Sequence, residues 1–132
     1  MGLRGLLYGA YERRLARDMP RERLPRHIGV ILDGNRRWAR ASGADTSAGH
    51  RAGAAKVLEF LRWCDEAGVE VVTLWLLSTD NLARPSAELT PLLGIIEDVV
   101  VRIADTGRYR VHAVGAPDLL PAGLVRTLKE LA

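Results

Sequence analysis

PRHIGVILDGNRRW, residues 25–38, carries the clearest structural signal in the chain. Within it, IGVILD (residues 28–33) is a β-branched apolar run, which predicts a buried strand that stops at Asp33-Gly34-Asn35. After a polar loop, an apolar helical face predicts a helix over about residues 49–67, and VEVVTLWLLS (residues 69–78) predicts a second strand. Strands alternating with helices of this length indicate an α/β fold, a parallel β-sheet with flanking helices.

The remainder of the chain continues this alternation. A third helix begins at Thr90-Pro91, or one turn earlier at Arg84-Pro85, and ends at Gly107. YRVHAV, residues 109–114, predicts a third strand, and the apolar pattern of a last helix runs to the end of the sequence without a cap. We therefore expect residues 25–132 to be the N-terminal portion of a larger α/β domain, because three parallel strands make a thin sheet.

Leucine and tyrosine side chains recur at helical spacing over residues 3–17, among several arginines. The pattern predicts a basic amphipathic helix that ends near Pro20, so residues 1–24 comprise this helix and a charged linker. A helix of this kind can pack on the domain or contact a membrane surface.

Composition and charge narrow the classes of protein and of partner. The 132 residues are 48% hydrophobic and 27% charged, as in a globular domain, and no apolar run is long enough to span a membrane. Cys64 is the only cysteine, which excludes an internal disulfide, and the arginine-interrupted N-terminus does not resemble a signal peptide, so we expect a cytoplasmic protein. Residues 1–56 hold 12 Lys and Arg against 5 Asp and Glu, which indicates an anionic partner or merely a solvated basic surface.

Three polar motifs are expected at one rim of the sheet, because the ligand crevice of a parallel sheet lies at the carboxyl ends of its strands. They are Asp33-Gly34-Asn35-Arg36-Arg37-Trp38, Gly49-His50-Arg51-Ala52-Gly53, and Ser78-Thr79-Asp80-Asn81 followed by Arg84. A carboxylate can hold Mg²⁺, glycine lets backbone amides approach an oxyanion, and arginine and histidine can bind phosphate oxygens. Together the motifs indicate a diphosphate with Mg²⁺.

Each motif taken alone has a structural interpretation. Asp-Gly-Asn is a common turn, a single histidine is usually structural, and Ser-Thr-Asp-Asn can cap a helix. Trp63, Trp75 and Cys64 lie on apolar faces and are expected in the core. The motifs therefore gain weight only from their joint placement.

The segments HIGVILDGNRRWAR and GHRAGAAKVLEFLRWCDEAGVEVVTLWLLSTDNLARPSAEL resemble the cis-prenyltransferase family, also called isoprenyl or undecaprenyl diphosphate synthases, over about residues 25–115. The resemblance implies a cis-prenyltransferase-like fold and a transferase of isoprenoid biosynthesis. Such an enzyme performs a Mg²⁺-dependent cis-condensation of isopentenyl diphosphate with an allylic diphosphate.

The resemblance also implies roles for single residues. Asp33 would be the catalytic carboxylate that binds Mg²⁺, and Asn81 would assist removal of the proton. The remaining substrate-binding positions would be Gly34, Asn35, Arg36, Arg37, Trp38, His50, Ser78, Thr79, Asp80, Arg84 and Glu88.

The chain departs from the family pattern at several positions. Leu82 stands where the family commonly has Trp, and Thr46 where long-chain members carry Arg. Leu76 stands where long-chain enzymes often have a small residue, which favours a short, farnesyl-type product over a C55 lipid carrier. The family's R-x-x-x-R-x-S stretch, a further acidic Mg²⁺ ligand and most of the dimer interface belong to a second half that this sequence does not contain.

We therefore expect a homodimeric enzyme when complete, and an inactive protein from residues 1–132 alone. The alternative is a non-catalytic, truncated or partner-dependent module that binds diphosphate. A phosphohydrolase with Asp33 as nucleophile is disfavoured, since no aspartate follows two residues later. A nucleic-acid partner is not expected, because Tyr8, Tyr11 and Trp38 form no stacking stripe.

Overall fold

The computed structural model describes residues 2–132, with residues 46 and 47 described by their backbone only. Over these residues the regular elements are, in chain order, α1 Leu3–Asp18, β1 His27–Ile31, α2 Asn35–Ala41, α3 Thr46–Ala67, β2 Val71–Trp75, α4 Ser86–Asp105 and α5 Ala122–Glu130. Short 3-10 turns occupy Arg21–Arg23, Thr79–Ala83 and Pro117–Leu119. The α/β class expected from the sequence is confirmed.

The sheet consists, in the described chain, of the parallel pair β1 and β2, in register from His27 opposite Val71 to Ile31 opposite Trp75. One face of the sheet packs against α3 and α4. Its core residues are Val57, Leu61, Val99 and Ile103, with Leu32, Val72 and Leu74 packed against them. The opposite face leaves Ile31 and Trp75 exposed, so the strands are covered on one side and not on both.

The predicted third strand at residues 109–114 is wrong. Tyr109 and Val111 pack against the core while Arg110 and His112 are exposed, so the side chains do alternate as in a strand. A strand also needs a neighbouring backbone to bond with, and among the described residues the segment pairs with neither β1 nor β2. The alternating pattern therefore reflects burial of one side of the segment, without hydrogen bonds to a neighbouring strand.

The polar loop predicted after β1 is also partly wrong, because it contains helix α2. Gly34 adopts a left-handed conformation with φ of 87°, which turns the chain sharply so that a helix begins at the next residue. Helix α3 begins at Thr46, three residues earlier than predicted, because the Asp45 carboxylate accepts the Ala48 N–H at 2.7 Å and caps it. Gly68, with φ of 83°, ends α3 as predicted.

The earlier of the two predicted starts is confirmed for α4. The helix begins at Ser86, directly after Pro85, whose carbonyl accepts the N–H groups of Glu88 and Leu89. Pro91 therefore lies inside the helix, in its second turn, and does not open it. Gly107 follows the last turn with φ of 66°, as the sequence indicates.

Helix α1 forms where the sequence predicts it and buries none of its described side chains. Leu3, Leu7 and Tyr11 are all exposed, and Arg14 falls on the same side of the helix as Leu3 and Leu7. Among the described helices, none combines the length and apolar character that crossing a membrane requires.

The prediction of a core position is wrong for two of the three residues named. Trp63 and Trp75 are about half exposed, at 48% and 57%. Cys64 is buried as expected, and burial raises the pKa of its thiol above the usual value. Trp63 on α3 and Trp75 on β2 belong to apolar sequence patterns. Those patterns include more residues than the buried face of each element can accommodate.

Candidate active site

A cavity of about 340 Å³ opens at the carboxyl ends of β1 and β2, the rim that the sequence motifs indicate. Eight of the predicted site residues line it: Asp33, Gly34, Asn35, Arg36, Arg37, His50, Asn81 and Arg84. Its apolar wall is made by Leu32, Ala54, Val57, Leu76, Leu92, Ile95, Ile96 and Val99. The cavity thus joins a cationic mouth to an apolar interior formed largely by α4.

The turn between β1 and α2 presents a carboxylate at the rim. Asp33 is 81% exposed, its Oδ1 accepts the Gly34 N–H at 2.6 Å, and its Oδ2 lies 3.9 Å from Nη2 of the equally exposed Arg37. Because the ion pair is long and solvated, it constrains Asp33 little. The carboxylate remains accessible to a cation or to a second ligand.

Helix α3 approaches α2 closely through two glycines on one of its faces. A Cβ at Gly49 would lie 2.3 Å from the Asn35 carbonyl oxygen and 3.0 Å from the Ala39 Cβ. A Cβ at Gly53 would lie 2.6 Å from Asn35 Oδ1. The G-H-x-x-G motif is therefore a packing requirement as well as a source of His50, since only glycine leaves room for Asn35.

The Ser78–Asn81 segment forms a reciprocal cap of its 3-10 turn. The Ser78 N–H donates to Asn81 Oδ1 at 2.9 Å, and the Asn81 N–H donates to Ser78 Oγ at 3.3 Å. The structural interpretation of this motif is thus correct, and Asn81 lines the cavity as well. With its Oδ1 engaged, the amide has its Nδ2–H groups left to offer a ligand.

Glu88 lies among three charged or titratable side chains that line the cavity. The Glu88 Oε1 lies 3.2 Å from Arg84 Nη1, 3.8 Å from Arg36 Nε and 3.9 Å from His50 Nε2. His50 is 7% exposed, and neither its Nε2 nor Glu88 Oε1 has a hydrogen-bond partner among the described residues. Burial first, and then the positive charge of Arg84, lower the pKa of His50 below its usual 6.5, although Glu88 opposes them.

Five residues predicted for the site do not line the cavity: Trp38, Ser78, Thr79, Asp80 and Glu88. Trp38 is 52% exposed. Among the polar lining residues, the sequence analysis did not select Arg40. Gly53, which it named only as part of the G-H-x-x-G motif, also lines the cavity. A helix prediction over residues 35–41 would have indicated Arg40, because it follows Arg36 by four residues on the same helical face.

The available donor residues fit a magnesium ion that is held mainly by the phosphates of a bound diphosphate. Mg²⁺ is usually bound by one or two carboxylates together with substrate phosphates and water. The described residues contain no group of three or more histidine, cysteine, aspartate or glutamate side chains that could enclose a metal. Asp33 alone at the rim is compatible with a metal that arrives with a diphosphate and not with a closed protein site.

Comparison with known proteins gives consistent results. Residues 31–132 match the sequence model of the family described as "Putative undecaprenyl diphosphate synthase". The chain is 59% identical over 128 residues to isoprenyl transferase 1 of Streptomyces avermitilis, which covers 97% of this chain and 50% of that protein. It is 61% identical over 129 residues to the (2Z,6E)-farnesyl diphosphate synthase of Thermobifida fusca, with the same coverage.

A solved structure shares the fold. Lavandulyl diphosphate synthase from Lavandula x intermedia, in complex with dimethylallyl diphosphate, superposes with a TM-score of 0.77 at 26% identity. The match covers 81% of this chain and 48% of that one. The chain therefore spans about half the length of the relatives it matches, and it belongs to the undecaprenyl diphosphate synthase, or cis-prenyltransferase, family.

Proposed function

We propose that the complete protein transfers prenyl groups, condensing isopentenyl diphosphate with an allylic diphosphate in the cis sense to give a short, farnesyl-type Z-polyprenyl diphosphate. The observation that carries the proposal is the cavity, in which arginines at the mouth meet an apolar interior. An allylic diphosphate has the same division, with two phosphates at one end and a hydrocarbon tail at the other. The relatives named for isoprenyl transfer and farnesyl diphosphate synthesis support this assignment.

The mouth of the cavity can bind and stabilise a diphosphate. Arg36, Arg37 and Arg84 offer charge-assisted hydrogen bonds to phosphate oxygens, and His50 offers a further ring nitrogen. Their positive charge and N–H donors would stabilise the negative charge that grows on the departing diphosphate. Asp33 would hold Mg²⁺, which supplies charge neutralisation of the diphosphate when bound.

The reaction forms a carbon–carbon bond, releases diphosphate and loses one proton. Asn81 is no base, because an amide accepts no proton near neutral pH, and its Oδ1 already accepts the Ser78 N–H. We propose that Asn81 orients substrate through its Nδ2–H groups, while a phosphate oxygen or water accepts the proton.

The apolar wall would determine the length of the product. Leu76 follows β2 and lines the cavity together with the α4 residues Leu92 and Ile96. A bulky side chain there shortens the space for the growing tail, which favours a short product. Leu76→Ala is expected to lengthen the product by at least one isoprene unit, as read from the chain length of extracted lipids.

The partners of the whole protein are further proposals. We propose that the second half, present in relatives about twice this length, completes the isopentenyl diphosphate site and a homodimer interface. Helix α1, with its exposed leucines and arginines, is proposed to contact the membrane surface peripherally in a cytoplasmic enzyme.

The test is prenyl transfer by the complete gene product, with radiolabelled isopentenyl diphosphate, an allylic diphosphate and Mg²⁺. We expect turnover, and we expect Asp33→Asn to lower kcat at least about a hundredfold, while Asp98→Asn, the same change at an exposed site on α4, leaves it unchanged. Ligand binding without any turnover would contradict the proposal and support the non-catalytic diphosphate-binding module instead.

A further inference from the structure

Glu88 is placed unlike the other charged residues near the cavity. Its carboxylate is 20% exposed and lies within 4 Å of three side chains from three separate elements. Arg36 comes from α2, His50 from α3, and Arg84 from the end of the turn before α4. One buried oxygen, Oε1, is the nearest atom to all three.

The three partners line the cavity, whereas Glu88 does not. Glu88 therefore lies behind the cationic wall, on the side away from the space a ligand would fill. A carboxylate in direct contact with a diphosphate would repel it, and the repulsion would be strong in a partly buried site. Both its position and its charge argue against Glu88 as a ligand of the substrate.

We propose that Glu88 is a positioning residue, a shared internal counter-ion that holds Arg36, Arg84 and His50 in the orientation in which they bind a diphosphate. The inference rests on the proposed function, since it concerns the same cavity. One negative charge among two arginines leaves the wall net positive, so the anchor does not remove the attraction for an anion. An anchored arginine also loses less rotamer freedom when a ligand binds.

The sign of one effect separates positioning from simple electrostatics. Glu88→Gln keeps the size of the side chain and removes its charge. If Glu88 acted only through its charge, the variant would have a more positive cavity and would bind inorganic diphosphate more tightly. If Glu88 positions the cations, the variant binds diphosphate about tenfold more weakly despite the gain in positive charge.

The measurement is calorimetric titration of the complete gene product with inorganic diphosphate in the presence of Mg²⁺, together with KM and kcat for the allylic substrate. We expect Glu88→Gln to raise the dissociation constant and KM, with a smaller effect on kcat. Asp98→Asn is the matched control, because it removes one carboxylate from an exposed position of the same helix and should change neither constant.

Glu88→Asp provides a second variant that stays informative if Glu88→Gln fails to fold. It keeps the charge but withdraws the carboxylate from its three partners. A positioning role therefore predicts weaker binding of diphosphate, whereas a pure charge effect predicts no change in binding. Unchanged or tighter binding in the folded variants would overturn the inference. Wild-type protein that binds diphosphate without turnover would refute the proposed function alone, whereas failure to bind diphosphate would refute both.

Discussion

Replacing the glycines of α3 by alanine tests how closely this helix must approach α2. At Gly49 the new Cβ would meet the Asn35 carbonyl oxygen at 2.3 Å, and a backbone atom between two helices has little room to move. Overpacking of this kind costs about 1–3 kcal/mol, and alanine returns about 0.5–1 kcal/mol through its better helix propensity. Because the overlap is severe, we expect Gly49→Ala to lower the free energy of unfolding by about 2 kcal/mol.

Gly94 provides the matched control. It lies within α4, and a Cβ there meets nothing within 4 Å, so Gly94→Ala should gain about 0.5–1 kcal/mol. Gly53→Ala is intermediate: its Cβ would meet the side-chain amide of Asn35 at 2.6 Å, and a side chain can rotate away. That variant should remain nearly as stable as the wild type, but with Asn35 displaced from the cavity it should lose activity.

The assay is equilibrium urea unfolding of the complete gene product, followed by circular dichroism, with prenyl transfer measured on the folded variants. The expected order of stability is Gly94→Ala, wild type, Gly53→Ala and Gly49→Ala. A Gly49→Ala protein as stable as Gly94→Ala would refute the close packing of α2 on α3. A Gly53→Ala protein with unchanged kcat and KM would show that Asn35 does not act in the cavity.

The remaining predictions concern pH, charge and reactivity. Folding lowers the pKa of His50, so near that pKa the unfolded chain binds more protons than the folded protein does. The contribution of neutral His50 to the free energy of unfolding is therefore complete above about pH 6.5 and is lost as the pH falls through the folded-state pKa. His50→Gln should flatten the fall in Tm on acidification. Arg40→Ala should weaken binding of inorganic diphosphate about threefold to tenfold, measured by calorimetry, and an unchanged dissociation constant would remove Arg40 from the site. The buried thiol of Cys64, with its raised pKa, should react with a disulfide reagent at least about a hundredfold more slowly in the native than in the urea-unfolded protein, and equal rates would contradict its burial.

The alternation of strands and helices was predictable because local patterns and long-range packing agree there. The run at 28–33 and the helix ending at Gly68 both carry strong local signals, an apolar run and a left-handed cap. The segment 109–114 has the same local character but has no bonding partner in the described chain. Strand formation depends on a neighbour that local sequence does not reveal, so this prediction failed.

The sequence predicted which motifs form the site, but it predicted less well how their side chains are arranged. The three motifs do meet at one rim, which the placement of loops at strand ends implies. The sequence could not show that Glu88 lies behind the wall, because that depends on how α2, α3 and α4 pack. The sequence analysis also missed Arg40, which lies on helix α2. That helix begins directly after Gly34 because Gly34 adopts a left-handed backbone conformation, and the identity of the residue alone does not specify that conformation.

Helix α4 belongs to both ends of the cavity. Its first turn holds Glu88 against the cations, and the next three turns supply Leu92, Ile95, Ile96 and Val99 to the apolar wall, from about 6 Å to about 16 Å further along the helix axis. In the proposed enzyme, a displacement of the whole helix that admits a longer tail would also move Glu88, which anchors the cations of the diphosphate site. If the proposed function holds, a change of product length made by shifting this helix should also change KM for the allylic substrate, and variants at 92–99 that alter product length alone should be rare.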